Sequence, residues 1–435
     1  LESTSQSSVQ TAKFGRMFRW LEPAIAPEGP TDEAEVRVML TTLAGLMVTS
    51  EFQSNAKETG KPDAPITVAE PDDENPTIPA GYTYLGQFID HDITFDPTSS
   101  LQRLNDPDGI ETFRTPRLDL DCLYGRGPAD QPYMYDKPGR AKFILGPDRG
   151  IDGMQRPDLQ RTADGTALIG DKRNDENKIV AQIQALFLKF HNKVYDQIAP
   201  NFGAAQQDAH FLEAQRIVRW CYQWIVLHDF LPKVCDPAIV KKLMPAAGKR
   251  GPNLQFYTPH GGNAYIPVEF AVAAYRFGHS MVRPSYALNA TAESTARFPF
   301  DGKLLAFGRI PIFVAHATAS TDAMNGFGEM APQLPPGWGI DWSFFFGALG
   351  TAAPGAPQIP QPSYRIDAFL VDPLGDLPEF AAAGVPSPFT SLAFRNLQRA
   401  VSMGLPSGQS VARMMGAADV LSDQQLWAVR NENET

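Results

Sequence analysis

Gly86-Gln87-Phe88-Ile89-Asp90-His91-Asp92 sets an amide, two carboxylates and an imidazole within six residues. Oxygen and nitrogen functions gathered that closely point to a cofactor or metal that they surround. Leu85, Phe88 and Ile89 recur at helical spacing, so the polar groups ride on a helix that starts near Gly81 and is stopped by Pro97.

Working outward, the longest helical pattern runs from about Glu176 to Ile198, with Ile179, Ile183, Leu186, Phe187, Phe190 and Val194 as its apolar stripe. Others span about Gln207 to Phe230 and Val268 to His279, and a shorter mixed helix spans Glu33 to Phe52. Alternation with period two is rare, so the fold class is mainly α with little β structure. Gly/Pro-rich stretches at 126–160, 241–265 and 350–364 read as long loops on one helical scaffold. Residues 53–80 are polar and rich in Pro, Asp and Glu, which favours an extended segment. The expected organisation is an N-terminal arm, 1–79, wrapping one large domain, 80–435.

Composition narrows the function. Hydrophobic content of 43%, charged content of 20% and a net charge of -11 describe an acidic globule. Basic clusters that would neutralise a nucleic-acid backbone are missing, so nucleic acid is not an expected partner. No apolar run reaches the ~18 residues of a membrane span. Cys122, Cys221 and Cys235 cannot all pair with one another and are too few for a disulfide scaffold. The sequence starts at Leu1 without a basic-then-apolar leader, as expected of a processed or trimmed product.

The seven histidines form neither an HExxH pair nor a zinc-spaced Cys/His cluster. His279 closes an apolar helix in Tyr275-Arg276-Phe277-Gly278-His279. Gly278 would let a planar group approach, and the imidazole there reads either as an iron ligand or as a hydrogen-bonded core histidine. Asp92 and Asp96 precede Thr115-Pro116-Arg117-Leu118-Asp119-Leu120-Asp121, whose alternating oxygen donors suit calcium or simply an acidic surface loop. Asp171-Lys172-Arg173-Asn174-Asp175-Glu176 opens the longest helix, either as a cap or as an arginine and a carboxylate facing one ligand.

Together these blocks, with Leu123-Tyr124-Gly125 and Leu392-Ala393-Phe394-Arg395-Asn396-Leu397-Gln398-Arg399, resemble the animal-type haem peroxidases and their bacterial relatives. The blocks keep the family's order and cover roughly residues 80–410. The resemblance implies a single helical peroxidase domain holding haem b and calcium. It makes His91 the distal base, Gln87 its neighbour over the iron and Arg173 the distal guanidinium. His279 becomes the proximal iron ligand, with Asn396 accepting its second ring proton. Asp90 and Glu176 match carboxylates that form esters to haem methyls, and Arg276 and Arg399 match arginines near the haem. Asp92, Thr115, the Arg117 carbonyl, Asp119 and Asp121 match the calcium ligands.

The implied reaction reduces H2O2 and oxidises small anionic or organic donors (iodide, bromide, thiocyanate, phenols) through a ferryl-oxo state. Position 177 is Asn, so the family's methionine sulfonium link is not expected, and chloride is the poorest donor. The family's Arg-Glu-His-Asn is Lys189-Phe190-His191-Asn192 here, which marks His191 as structural. Val401-Ser402-Met403 replaces a charged stretch after Arg399. Two alternatives stand beside peroxidase. One is a fatty-acid dioxygenase, for which Tyr257 or Tyr364 would have to supply the radical; the other is a non-catalytic haem-binding or adhesion module. The resemblance also implies an extracytoplasmic or secreted location.

Overall fold

Phe88 is where the helical framework meets. Its ring stacks on Phe187 with centroids 5.0 Å apart and meets Tyr222 edge-on at 6.1 Å, joining three helices around one aromatic contact. The computed structural model describes residues 12–425 apart from 27–28, 50–73, 95–110, 113, 138, 151–152, 246–250, 253, 260–262, 293–308, 315–322, 327–332 and 348–359. It is 48% helical with 9% strand and no closed sheet, so the mainly α expectation holds. Asp96, His260 and His316 lie outside the described residues.

Helix α1 (Pro30–Met47) lies over α5 (Leu392–Ser402), where Leu40, Ala44, Phe394 and Val401 make a small second core. Helix α2 (Gly81–Ile93) is buried along nearly its whole length. Its first residue must be glycine, because a Cβ there would meet the Phe346 ring at 2.6 Å. It ends at Ile93, before Pro97, with Thr94 already extended.

Helix α3 (Lys178–Ile198) begins two residues later than its pattern suggested. The Asn177 side chain caps it, accepting from Ile179 N at 3.1 Å and Val180 N at 2.9 Å. A 3-10 turn, Lys172–Asp175, precedes it. The buried arc of α3 runs through Ile179, Ile183, Gln184, Phe187, Leu188 and His191; Leu186 falls off it and is 42% exposed. Helix α4 (Gln207–Ile225) continues into a π turn, Val226–Phe230. The segment before His279 is a π turn, Glu269–Ala273, followed by a 3-10 stretch, Ala274–His279, rather than an α-helix.

Strands are two to six residues long and serve as ties. Strand β1 (Ala12–Gly15) pairs antiparallel with Glu111–Thr112 and parallel with Ile266–Pro267. Next to it, buried Glu269 accepts from Met17 N and Phe18 N at 3.0 to 3.1 Å, and Arg16 donates to the carbonyls of Met403 and Gly404 at 2.6 and 2.8 Å. Arg16 thus supplies a charge at the end of α5, where Val401-Ser402-Met403 carries none.

Candidate active site

One cleft of about 300 Å³ is lined by Gln87, Asp90 and His91 of α2, by Arg173 and Glu176 at the start of α3, and by Arg276, Gly278 and His279. Tyr275 ties the two sides together, its hydroxyl donating to the Gly86 carbonyl at 3.0 Å. The structure therefore brings residues 87, 90, 91, 173, 176, 276 and 279 to a single cavity although they are far apart in sequence.

His91 is buried, and its Nδ1 lies 2.7 Å from Asn174 Oδ1. Burial, helped by the Arg173 charge, lowers its pKa to about 4, so the imidazole is neutral near pH 7. Its Nε2 is 3.7 Å from Glu176 Oε2. Glu176 is pushed up to about 8, first by burial and then by the Glu379 carboxylate, so this contact joins two neutral groups and is no ion pair. Gln87 donates from Nε2 to Glu176 at 2.8 Å, and its own Oε1 accepts from Asn177 Nδ2 at 3.0 Å. Asn177, which stands where the family's methionine would be, thus caps α3 and orients Gln87.

Arg173 lines the cleft, but its guanidinium is held from behind. It donates to both oxygens of Asp171, at 3.1 and 2.8 Å, to the His91 carbonyl at 2.9 Å and to the Thr94 carbonyl. Arg114 reaches the same carboxylate at 2.7 Å. Burial opposes the charge on Asp171, yet these two arginines hold its carboxyl well below the usual range. Arg173 therefore braces the end of α2 that carries His91 as well as charging the cavity wall. Asp90 pairs with Arg276 at 3.3 Å; burial would raise its pKa, but Arg276, His91 and Arg173 bring it below normal.

Also lining the cleft is His279, whose Nδ1 lies 2.8 Å from the Asn396 side-chain amide, leaving Nε2 as the nitrogen free for the cleft. As placed, the amide nitrogen faces the ring; half a turn of the amide sets its oxygen there, and the two ends have nearly the same shape. Burial and Arg276 lower the His279 pKa to about 3. A Cβ on Gly278 would meet nothing within 4 Å, so the backbone beside His279 is open to the cleft. These features fit haem. Two neutral imidazoles each have Nδ1 occupied and share one cavity, bordered by two carboxyl groups and by Arg276. A second cavity of about 210 Å³ abuts the first and is lined by Arg173, Arg276, Arg395, Arg399 and Asn396, a setting for anionic groups.

Behind His91, buried Asp92 accepts from Leu120 N at 3.2 Å and Cys122 N at 3.5 Å. Burial and the charges of Asp119 and Asp121 push its pKa up to about 7. Thr115 donates to the Asp119 carboxylate at 2.7 and 2.8 Å, and the Arg117 carbonyl accepts from Gln223 at 3.1 Å. Leu118 and Leu120 flank Asp119 with φ of 55° and 59°, a left-handed backbone costing about 1–3 kcal/mol per residue. Mutually repelling carboxylates on a strained loop suit a cation. Among the described residues, however, no three His, Cys, Asp or Glu are close enough to hold a metal unaided, so Thr115 and backbone oxygens would have to contribute.

His191 is structural: Tyr124 Oη lies 3.0 Å from its Nδ1, and Nε2 donates to the Ala141 carbonyl at 3.0 Å. Neither Tyr257 nor Tyr364 lines the cleft, whereas Tyr82, Tyr84 and Tyr275 do. Asn174, Gln184, Asp171 and Arg114 carry the polar network yet received no role from the sequence. The readable signal was Gln184, an amide on the buried arc of α3.

The family model described as animal haem peroxidase matches residues 114–322, which include Arg173, Glu176 and His279. The chain is 33% identical over 146 residues to human "Probable oxidoreductase PXDNL" and 26% identical over 157 residues to human thyroid peroxidase. Those matches take in 33% and 35% of this chain but only 9% and 15% of the relatives. Peroxidase A from Dictyostelium discoideum superposes with a TM-score of 0.55 at 17% identity, covering 97% of this chain and 78% of that one. Fatty acid alpha-dioxygenase from Arabidopsis thaliana gives 0.50 at 15% identity, covering 82% and 60%. The structural likenesses establish the shared helical fold, and over residues 114–322 the sequence is similar to the animal haem peroxidases.

Proposed function

We propose that the chain is a haem-dependent peroxidase that reduces H2O2 and oxidises iodide, bromide, thiocyanate or phenolic donors. The observation that carries this reading is the pair of neutral imidazoles, His91 and His279, on one cleft with Nδ1 of each already occupied. Bound there, haem iron would supply the redox chemistry: two electrons to peroxide, regained together from a halide or thiocyanate or singly from phenols.

The chain's own residues do the rest. His279 Nε2 would ligate iron, and Asn396 would accept its Nδ1 proton and set its basicity. His91 Nε2 would accept one proton of H2O2 and return it to the oxygen that leaves as water; such proton shuttling is worth about 10²–10⁴ in rate. Arg173 would contribute fixed positive charge to the cavity wall as the O–O bond breaks, and Gln87 would offer an amide to the site. Asp90 and Glu176 would reach the haem methyls as ester partners. Arg276 and Arg399 would pair with propionates.

Asp92, Thr115, the Arg117 carbonyl, Asp119 and Asp121 would bind calcium and anchor the backbone carrying His91. The described residues before 80 tie back onto the catalytic domain 80–435 through β1 and α1, and the protein would work outside the cytoplasm. No helix among the described residues is long and apolar enough to cross a membrane. An absorption spectrum of the haem-loaded protein tests the function. One equivalent of H2O2 should convert the Soret band, and iodide, bromide or thiocyanate should restore it; a band that peroxide leaves unchanged contradicts the proposal.

A further inference from the structure

We infer that Asn174 and Gln184 are positioning residues that hold His91 as its Nδ1–H tautomer, with Nε2 bare toward the cleft. The inference rests on the peroxidase reading for its purpose but not for its geometry. His91 Nδ1 lies 2.7 Å from Asn174 Oδ1, and Asn174 Nδ2 donates to Gln184 Oε1 at 2.8 Å. All three side chains are buried, at 4%, 0% and 0% exposure, so solvent cannot replace a lost partner.

The direction of this chain of hydrogen bonds decides the chemistry. A carbonyl oxygen only accepts, so Asn174 Oδ1 facing Nδ1 requires the ring proton on Nδ1 and leaves the Nε2 lone pair for peroxide. Gln184 sets the direction one step back: its Oε1 takes the Asn174 amide protons and so turns the Asn174 oxygen toward His91. Rotating both amides would reverse everything. Asn174 would then donate to Nδ1, the ring proton would move to Nε2, and it would face Glu176 Oε2, 3.7 Å away. The reversed arrangement would give Gln184 Nε2, which has no hydrogen-bond partner among the described residues, a place to donate, but it would leave no base at the cleft.

The other groups around His91 are engaged elsewhere. Arg173, held by Asp171, donates to the carbonyl of His91 itself, and Arg114 comes within 3.4 Å of it. Asp90 is committed to Arg276, and Glu176 accepts from Gln87. None of these contacts supplies an acceptor to Nδ1, so Asn174 alone orients the ring on that side. An amide does this without adding a charge, which an aspartate at 174 would bring.

The test reads the tautomer directly. The chain of residues 1–435, without haem and with 15N-labelled histidine, gives separate NMR signals for protonated and bare ring nitrogens. The His91 signals are identified by their loss in His91→Gln. We expect a protonated Nδ1 and a bare Nε2, unchanged in Gln184→Glu, because the carbonyl oxygen of the acid, ionised or neutral, still accepts from the Asn174 amide and so keeps the same direction. In Asn174→Leu the tautomers should mix, and the haem-loaded protein should react with H2O2 about 10–10²-fold more slowly, within the range of general-base catalysis. If Asn174→Leu does not fold, Asn174→Asp keeps an acceptor of similar shape and should retain the wild-type tautomer. A proton on Nε2 in the wild type, a tautomer switch in Gln184→Glu, or an unchanged tautomer and rate in Asn174→Leu would each overturn the inference. Failure of the wild type to react with peroxide would instead refute the peroxidase reading and leave the tautomer result standing.

Discussion

Replacing Asp171 with Asn removes one charge from beneath the site while leaving its shape. Asn caps a helix about as well as Asp, so the 3.0 Å bond from Arg173 N to the side chain survives, and the change isolates the charge. The Asp171 side chain is 1% exposed, and its partners Arg114 and Arg173 are 13% and 19% exposed. Stripping one partner from a buried pair costs about 3–5 kcal/mol; since both arginines keep some solvent, the lower end, ~3 kcal/mol, is expected. The pH dependence has a definite sign. The folded-state pKa of Asp171 is depressed, so its stabilisation is fully present above the unfolded value of about 3.9 and fades as pH falls toward the folded value. Urea denaturation of wild type and Asp171→Asn should therefore show the full gap at pH 7 and a narrowing gap below about pH 4. A gap at pH 7 no larger than the ~1 kcal/mol of a surface pair, or one constant with pH, refutes the reasoning.

Asn177→Ala removes the α3 cap and the bond that holds Gln87, and calorimetry should find about 0.5–2 kcal/mol of lost stability. Chelating calcium should destabilise the protein by about 4 kcal/mol where the ion had stood 1,000-fold above its Kd, read as a lowered thermal midpoint; no change in the midpoint would remove the ion from Asp92 and its loop. Glu269→Ala deprives Met17 and Phe18 of their buried acceptor, so hydrogen exchange at those two amides should accelerate while amides in α3 stay protected.

Much of this site was legible because its chemistry sits in short contiguous blocks. Gln87, Asp90 and His91 lie on one helix, whose start near Gly81 followed from the spacing of Leu85, Phe88 and Ile89. Arg173 and Glu176 were readable as a pair for the same reason. The proximal segment was readable as apolar and helical, but its π and 3-10 character was not, because hydrophobic periodicity does not separate those turns from an α-helix over so few residues. Leu186 was misplaced because an apolar residue off the buried arc looks the same in sequence as one on it. Asn174 and Asp171 were quoted within a motif, yet their partners, His91 and Arg114, come from elements far along the chain. Such long-range polar pairing leaves no local pattern, and only an amide on an apolar face, as at Gln184, signals that a partner exists.

The central claim is that His279 and His91 face one haem with different duties. Haem titration of wild type, His279→Gln and His91→Gln, followed by absorption and electron paramagnetic resonance, tests it most directly. The account expects stoichiometric binding with an imidazole-ligated spectrum in wild type and in His91→Gln, and loss of that signature in His279→Gln. An imidazole-ligated spectrum that survives His279→Gln would contradict it.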